Sequence, residues 1–105
     1  MLRQRLLGSI FVRKGIAVQS FGYKKWLPLG DVGCLVKNLD DWGADGIVVL
    51  SIDRKSKGPD YQLLKRLSKL KLSTPLSYGG GITTVEHAKN AVQLGAERLV
   101  LDSAL

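Results

Sequence analysis

Residues 75–86 read Pro-Leu-Ser-Tyr-Gly-Gly-Gly-Ile-Thr-Thr-Val-Glu, a short apolar strand that runs into three glycines and then a helix start. Thr83 and Glu86 have the spacing of a capping box, a pattern that begins helices. Glycines leave the backbone amides unshielded, and amides beside a helix N-terminus can bind an oxyanion. The same glycines also fit a simple strand-to-helix turn. Their place at the carboxyl end of a strand favours a ligand site, because barrel folds bind ligands at that edge.

Outward from this stretch, apolar strand-like runs alternate with amphipathic helix patterns. Strands are predicted at residues 6–12, 46–52, 76–78 and 99–101, and residues 16–20 form a short second segment that extends the first loop. Helices are predicted to begin at Asp31, at Pro59 as a first-turn residue and at Thr83, and Gly43 ends the first of them. The predicted inward-facing helix residues are Val32, Leu35, Val36, Leu39 and Trp42; Leu63, Leu64, Leu67 and Leu70; and Val85, Ala88, Val92 and Leu94.

The order of these elements predicts an α/β fold, βαβαβαβ, with parallel strands and right-handed crossovers. Residues 42–49 and 94–101 each read as a helix end, a Gly-Ala-acid turn and a strand, which indicates a repeated unit. Half of a (βα)8 barrel and an open flavodoxin-like sheet both fit this order. The length of 105 residues predicts one domain, residues 1–105.

The chain is basic, with a formal net charge of +7. Its positive residues concentrate in residues 54–57 and 65–71. Three explanations are open: a solvated face, attraction of phosphorylated substrates, or nucleic-acid binding. Aromatic residues do not alternate with the basic ones, so stacking on bases is disfavoured and a nucleic-acid partner is not expected.

Several other classes are disfavoured by composition. No apolar run approaches the roughly 18 residues of a membrane span, and residues 6–12 lack the length and cleavage site of a signal peptide. We therefore expect a cytoplasmic protein without a membrane partner, and the single cysteine, Cys34, fits a reducing compartment. His87, the only histidine, is predicted to be a surface residue. No Cys/His cluster indicates a metal, and no cofactor is predicted.

Five motifs follow one another along the chain: Met1-Leu2-x-x-Arg5, Gly30-Asp31, Gly43-Ala44-Asp45, Tyr78-Gly79-Gly80-Gly81-Ile82 and Gly95-Ala96-Glu97. In this order they resemble the N-terminal half of the cyclase subunit of imidazole glycerol phosphate synthase, from histidine biosynthesis. Residues 58–61 and 75–79 look closest to a side branch whose members pair with an amidotransferase in acetamidino-sugar synthesis. The resemblance implies half of a (βα)8 barrel that stops after the fourth strand and lacks the fourth helix.

The resemblance also implies a phosphate site at Gly80, Gly81, Asp102 and Ser103. The family usually has asparagine at the position of Asp102, whose charge would repel phosphate unless it points away. In the alternative interpretation, Asp102 and Ser103 only cap a helix.

No catalytic residue carries over from the family to this chain. The first acid/base position reads Phe11, which cannot transfer a proton, and the second lies in the other half of the barrel. A further acidic position reads Ser51, although Asp53 would point to the same face, and a family lysine reads Gln19. We therefore expect no cyclase activity from this chain alone.

Family members also pass ammonia from a glutaminase-type amidotransferase through the barrel, past charged gate residues. Arg5 and Arg98 match two gate positions, and Glu97 matches an acidic position that faces the partner. The acidic gate position between the arginines reads Gly46, so the gate is predicted to lack its counter-charge. Without the resemblance, Arg5 and Arg98 would be two solvated arginines at strand starts.

Three functions follow as alternatives. The chain is a subunit that binds a phosphorylated sugar and depends on another half for chemistry, a non-catalytic phosphate-binding or assembly module, or a nucleic-acid-binding protein. Open edges at the first and fourth strands, with strands apolar on both faces, also predict a homodimer that completes a barrel, or a tetramer.

Overall fold

A computed structural model describes residues 7–21, 25–54 and 57–100. Wherever prediction and structure can be compared, the predicted strand ends lie within one residue of the observed ends. The strands are β1 Leu7–Arg13, β2 Ile16–Phe21, β3 Lys25–Gly30, β4 Gly46–Ser51, β5 Leu76–Gly79 and β6 Arg98–Val100, and the helices are α1 Val32–Asp41, α2 Tyr61–Ser68 and α3 Val85–Gln93.

The six strands form one sheet in the order β3-β2-β1-β4-β5-β6. Strands β1, β4, β5 and β6 pair in parallel, and a helix connects each to the next. Parallel strands joined by helices are the repeating unit of a (βα)8 barrel. The predicted α/β class and half-barrel architecture are therefore confirmed.

The purely parallel order is wrong between β1 and α1, where the chain forms an antiparallel hairpin that was not predicted. Strand β2 pairs with β1, and β3 pairs with β2. The turn residues Lys14 and Gly15 have φ values of 53° and 77°, as a two-residue hairpin turn with both residues left-handed requires. The prediction failed because lysine is not a residue that marks such a turn.

The hairpin also corrects the predicted open edge at the first strand. Strand β2 pairs with Phe11, Val12 and Arg13, the carboxyl half of β1. Within the described chain, β1 is therefore open on this side only from Leu7 to Ile10. Strand β6 is the last strand of the sheet at the other end.

Residues of the parallel strands alternate between a face that the helices cover and a face that no described helix covers. Register places Phe11, Leu50, Gly79 and Val100 in one row of the uncovered face, and Ser9, Val48, Ser77 and Arg98 in a second row. We call these two rows the open face. Phe11 and Val100 are each 41% exposed there. In a closed barrel this face would line the interior.

The covered face forms the core together with one side of each helix. Its strand residues Ile10, Val12, Ile47, Val49, Leu76 and Tyr78 are buried, as are the helix residues Val32, Val36, Leu63, Leu64, Leu67 and Ala91. The predicted stripes of the first two helices are thus confirmed in their central residues. Trp42 was predicted inward and is exposed instead, because α1 ends at Asp41.

The helix caps agree with the prediction for α1 only. Asp31 caps α1 by accepting a hydrogen bond from the Cys34 amide at 3.0 Å, and Gly43 follows with a φ of 80°. Helix α2 begins at Tyr61 with Asp60 as its cap, so Pro59 precedes the cap and is not in the first turn. Helix α3 is capped by Thr84 and not by Thr83.

The predicted inward face of α3 is confirmed for Ala88 and Leu94 and is wrong for Val85 and Val92. Val85 and Val92 are exposed, whereas Ala91 is fully buried and Ala88 packs against the core. The two valines lie seven residues apart and therefore share one outward side of the helix. The short alanine side chains face the sheet in their place.

Candidate functional site

The predicted glycine loop lies at the carboxyl edge of the sheet, between the ends of β4 and β5. Gly80 has a φ of 132° and Gly81 a φ of 73°, which are conformations that side chains disfavour. A Cβ on Gly80 would contact the Ser51 carbonyl oxygen and lie 2.8 Å from the Ser51 Cβ. A Cβ on Gly81 would contact the Gly58 carbonyl and lie 2.6 Å from the Arg54 carbonyl oxygen. Both glycines are therefore required by close backbone packing.

The backbone amides of the glycine loop form few hydrogen bonds within the described chain. Within the described part of the chain, the amides of Gly80, Gly81 and Ile82 donate no hydrogen bond to another residue. The next amide, that of Thr83, donates to His87 Nδ1 at 3.3 Å, and Thr84 Oγ1 accepts from the His87 amide at 3.0 Å. Amides just before a capped helix can bind an anion, since the N–H groups and the helix dipole act together.

His87 therefore belongs to the loop end of α3. It is half-buried, and a Cβ on Gly58 would lie 3.6 Å from its Nε2. The prediction of a surface histidine is confirmed, and its imidazole accepts from the Thr83 amide and lies near Gly58.

The segment under the glycine loop is held by a guanidinium and a phenol. Arg54 donates from Nε to the Gly58 carbonyl at 3.0 Å and from a terminal nitrogen to the Pro59 carbonyl at 3.2 Å. The Asp60 amide donates to the Tyr78 hydroxyl at 2.8 Å. These contacts fix the β4–α2 connection against β5, and with it the surface on which Gly81 rests.

This supporting network was not predicted from the sequence. Asp60 could have been recognised from the sequence as a helix cap, because aspartate is a usual capping residue. Its carboxylate accepts from the Leu63 amide at 3.1 Å. The role of Arg54 could not be recognised from the sequence, since it stands in a basic segment whose composition does not distinguish it from its neighbours. Tyr78 contacts a residue 18 positions earlier, which only the folded chain reveals.

Tyr78→Phe is expected to destabilise the fold by about 1–3 kcal/mol at neutral pH, because the buried Asp60 amide loses its acceptor. Burial also raises the pKa of the Tyr78 phenol above its ordinary value of 10.0. Stabilisation from a raised pKa is complete below the unfolded value and is lost as pH rises through the folded value. The wild-type chain should therefore lose stability above pH 10 more steeply than Tyr78→Phe.

Urea denaturation between pH 7 and pH 11 measures both effects. Tyr61→Phe is the matched control at pH 7, because the Tyr61 hydroxyl is buried and hydrogen-bonds to no described residue. Removing an unpaired hydroxyl should be neutral or slightly stabilising. Equal midpoints for the two variants at pH 7 would contradict a supporting role for the Tyr78 hydroxyl.

The positions that correspond to family acids carry no proton donor toward the open face. Phe11 occupies the first of them and pairs in register with Leu50. Ser51 is buried beneath Gly80, on the covered side of β4. The Asp53 carboxylate accepts from the Lys14 amide at 2.7 Å, which places it at the β1–β2 turn.

The opposite edge of the sheet holds the one gate-like residue that the structure describes. Arg98 is exposed at the start of β6, on the open face. An open groove of about 630 Å³ contains Arg98 together with Asp45 and Glu97. The carboxylates of Asp45 and Glu97 line the same groove as Arg98, whereas Gly46 supplies none, so the gate without its usual counter-charge at position 46 stays a prediction.

Three predicted site residues, Arg5, Asp102 and Ser103, lie outside the described residues. Of the predicted phosphate site, the structure brings Gly80 and Gly81 together with the start of α3. No group of three or more His, Cys, Asp or Glu side chains within residues 7–21, 25–54 and 57–100 could hold a metal ion. None of the three described helices has the length and hydrophobicity to cross a membrane.

Comparison with known proteins connects this architecture with a named family. The family described as "Histidine biosynthesis protein" matches residues 5–105. The chain belongs to this family. The resemblance to the cyclase-subunit family noted from the motifs is confirmed.

The alignments with individual relatives extend over nearly the whole chain. It is 33% identical over 105 residues to "Putative imidazole glycerol phosphate synthase subunit hisF2" of Vibrio vulnificus (strain YJ016), which is 98% of this chain and 38% of that protein. It is 31% identical over 106 residues to "Imidazole glycerol phosphate synthase subunit HisF" of Exiguobacterium sibiricum, which is 99% of this chain and 42% of that protein. The chain therefore spans about two fifths of the length of these relatives.

Proposed function

We propose that this chain is a phosphate-binding half-barrel of the histidine-biosynthesis family, with a phosphorylated small molecule as its ligand. The observation that carries the proposal is the row of amides at Gly80, Gly81 and Ile82, which donate to no described residue and precede the capped helix α3. An oxyanion bound there would accept their hydrogen bonds and lie on the positive end of the helix dipole.

Ser103 completes the site in this proposal. By resemblance it stands at the end of the fourth parallel strand, where its hydroxyl donates to the same oxyanion. In this proposal the Asp102 carboxylate must not face the oxyanion, because a negative charge toward the phosphate would oppose binding. Neither residue is assigned a catalytic role.

The experiment is a titration of the ¹⁵N-labelled chain with ribose 5-phosphate, followed by amide chemical shifts. We expect saturable shifts first at Gly80, Gly81 and Ile82, with ribose as the uncharged control. Shifts confined to the basic residues 65–71 would overturn the proposal, because they would mean that surface charge alone attracts the anion.

We expect no cyclase turnover from the isolated chain. Phe11 stands at the first acid/base position, and its ring has no proton to give or take. A steady-state assay with the ribonucleotide substrate of the family and ammonium salts measures this. Turnover within about 10²-fold of a competent enzyme would contradict it, since loss of one acid/base group commonly costs 10²–10⁴.

Completion of the barrel requires a partner for the open face, and we propose a second copy of this chain. The exposed Phe11 and Val100 support this, because they lie in one apolar row with Leu50. A glutaminase-type amidotransferase is the second proposed partner, at the opposite edge where Glu97 and Arg98 are exposed. Pairing with a second copy is the assembly that we favour, because Phe11 cannot serve as the first acid/base group.

A further inference from the structure

A second basic groove lies outside the barrel half, between the β1–β2 turn and α2. It has a volume of about 620 Å³ and opens to solvent. It is separated from Gly81 by one stretch of backbone, because Gly81 packs on the Arg54 and Gly58 carbonyls. The groove is lined by Lys14, Gly15, Asp53, Arg54, Lys57, Asp60, Gln62 and Arg66.

The two carboxylates of the groove are already engaged by backbone donors. Asp53 accepts from the Lys14 amide at 2.7 Å, and Asp60 accepts from the Leu63 amide as the cap of α2. Arg54 is also committed, since its guanidinium holds the Gly58 and Pro59 carbonyls. These three side chains therefore build the walls of the groove.

Three further cations line the groove, namely Lys14, Lys57 and Arg66. Within the described residues, no carboxylate forms an ion pair with the ammonium groups of Lys14 or Lys57. Arg66 has one long ion pair, at 4.0 Å, to Asp31. Four cationic side chains, those of Lys14, Arg54, Lys57 and Arg66, thus share one concave surface with the two carboxylates of Asp53 and Asp60, which leaves the groove with a net positive charge.

Lys14 is held in place by its backbone. Its φ of 53° belongs to the tight β1–β2 turn, and the Asp53 carboxylate fixes its amide. A lysine in a rigid turn samples fewer positions than one on a free loop, so less entropy is lost when it binds. The groove is therefore partly organised before a ligand arrives.

We propose that this groove binds a multiply charged oxyanion, namely the diphosphate group of a phosphorylated metabolite. Three separated cations match the several charged oxygens of a diphosphate better than a single phosphate. The site is distinct from the Gly80–Ile82 amides and does not depend on them. Sequence alone left the basic residues between solvation and phosphate attraction. The proposal places Arg54, Lys57 and Arg66 on one binding surface.

Titration of the ¹⁵N-labelled 105-residue chain with inorganic pyrophosphate at an ionic strength of about 0.15 M, where the Debye length is about 8 Å, tests the proposal. We expect saturable shifts at Lys14, Gly15, Lys57 and Gln62. The double variant Lys14→Asn/Lys57→Gln should weaken the apparent Kd at these amides at least about tenfold, as loss of charge-assisted hydrogen bonds implies. Asparagine tolerates the left-handed conformation of the turn, so the hairpin is preserved.

The matched control is Lys89→Gln, which removes one exposed charge on α3, away from the groove. It should change the Kd by no more than about twofold, because distant exposed charges are screened. Shifts confined to Gly80, Gly81 and Ile82 would overturn the groove while supporting the proposed function. Equal weakening by Lys89→Gln and the double variant would also overturn it, since net charge would then explain binding.

Discussion

Gly81→Ala is expected to destabilise the fold by at least about 3 kcal/mol, of which about 1 kcal/mol comes from the left-handed backbone and the rest from overlap. The new Cβ would contact the Gly58 carbonyl and lie 2.6 Å from the Arg54 carbonyl oxygen. These are backbone groups, and the Arg54 guanidinium holds one of them in place. A domain of this size has about 5–15 kcal/mol of stability in total, so the loss is large.

Gly15→Ala is the control that separates the two costs. Gly15 has a φ of 77°, close to the 73° of Gly81, but a Cβ there would meet nothing within 4 Å. Its replacement should cost only about 1 kcal/mol, for the backbone conformation alone. Urea midpoints followed by circular dichroism give both numbers. Similar losses for the two variants would show that the glycine loop does not rest on residues 54–58.

The glycine loop was predictable because its pattern is local. Three glycines between an apolar strand and a helix start can be recognised within twelve residues, and the structure places Gly80 and Gly81 at that edge. The parallel strands were predictable for the same reason, since continuous apolar runs such as residues 46–52 suit strands buried in a parallel sheet.

The predictions that were wrong concern features that depend on tertiary contacts. The β1–β2 turn contains Lys14 in a left-handed conformation, and its amide bonds to Asp53, 39 positions away. Helix α3 packs through Ala88 and Ala91, although valine is the more hydrophobic residue at Val85 and Val92. A count of apolar side chains favours the valines, whereas close approach to the sheet favours the alanines.

The difference between local patterns and tertiary contacts also explains which parts of the candidate site could be predicted. The residues proposed to bind phosphate are marked by composition, but those that support them are not. Arg54, Asp60 and Tyr78 act through contacts between the β4–α2 connection and β5. Close packing of this kind is visible in the glycine φ values and in the position a Cβ would take.

Association through the open face requires that the β1–β2 hairpin leave part of β1 free to pair with β6 of a second copy. In a two-fold pair that closes one barrel, β6 of each copy lies beside β1 of the other. Strand β2 already pairs with β1 from Phe11 to Arg13, so the incoming strand has Leu7 to Ile10 available. The contact would bury the row that contains Phe11 and Val100, each of which is 41% exposed in one copy.

Val100→Asp is therefore expected to weaken self-association at least about 100-fold, while the wild-type chain should show a mass above 11.5 kDa by light scattering at micromolar concentration. The change removes an apolar side chain and brings a carboxylate into the closed interior, and it occurs twice in each dimer. Burial of a valine is worth about 1.5–3 kcal/mol, and an unpaired buried charge opposes association further. Val92→Asp is the control, because Val92 is exposed on the outer side of α3. It should leave the assembly unchanged. A wild-type mass of 11.5 kDa at every concentration would rule out the assembly, and equal dissociation by both variants would place the contact on the helices and not on the open face.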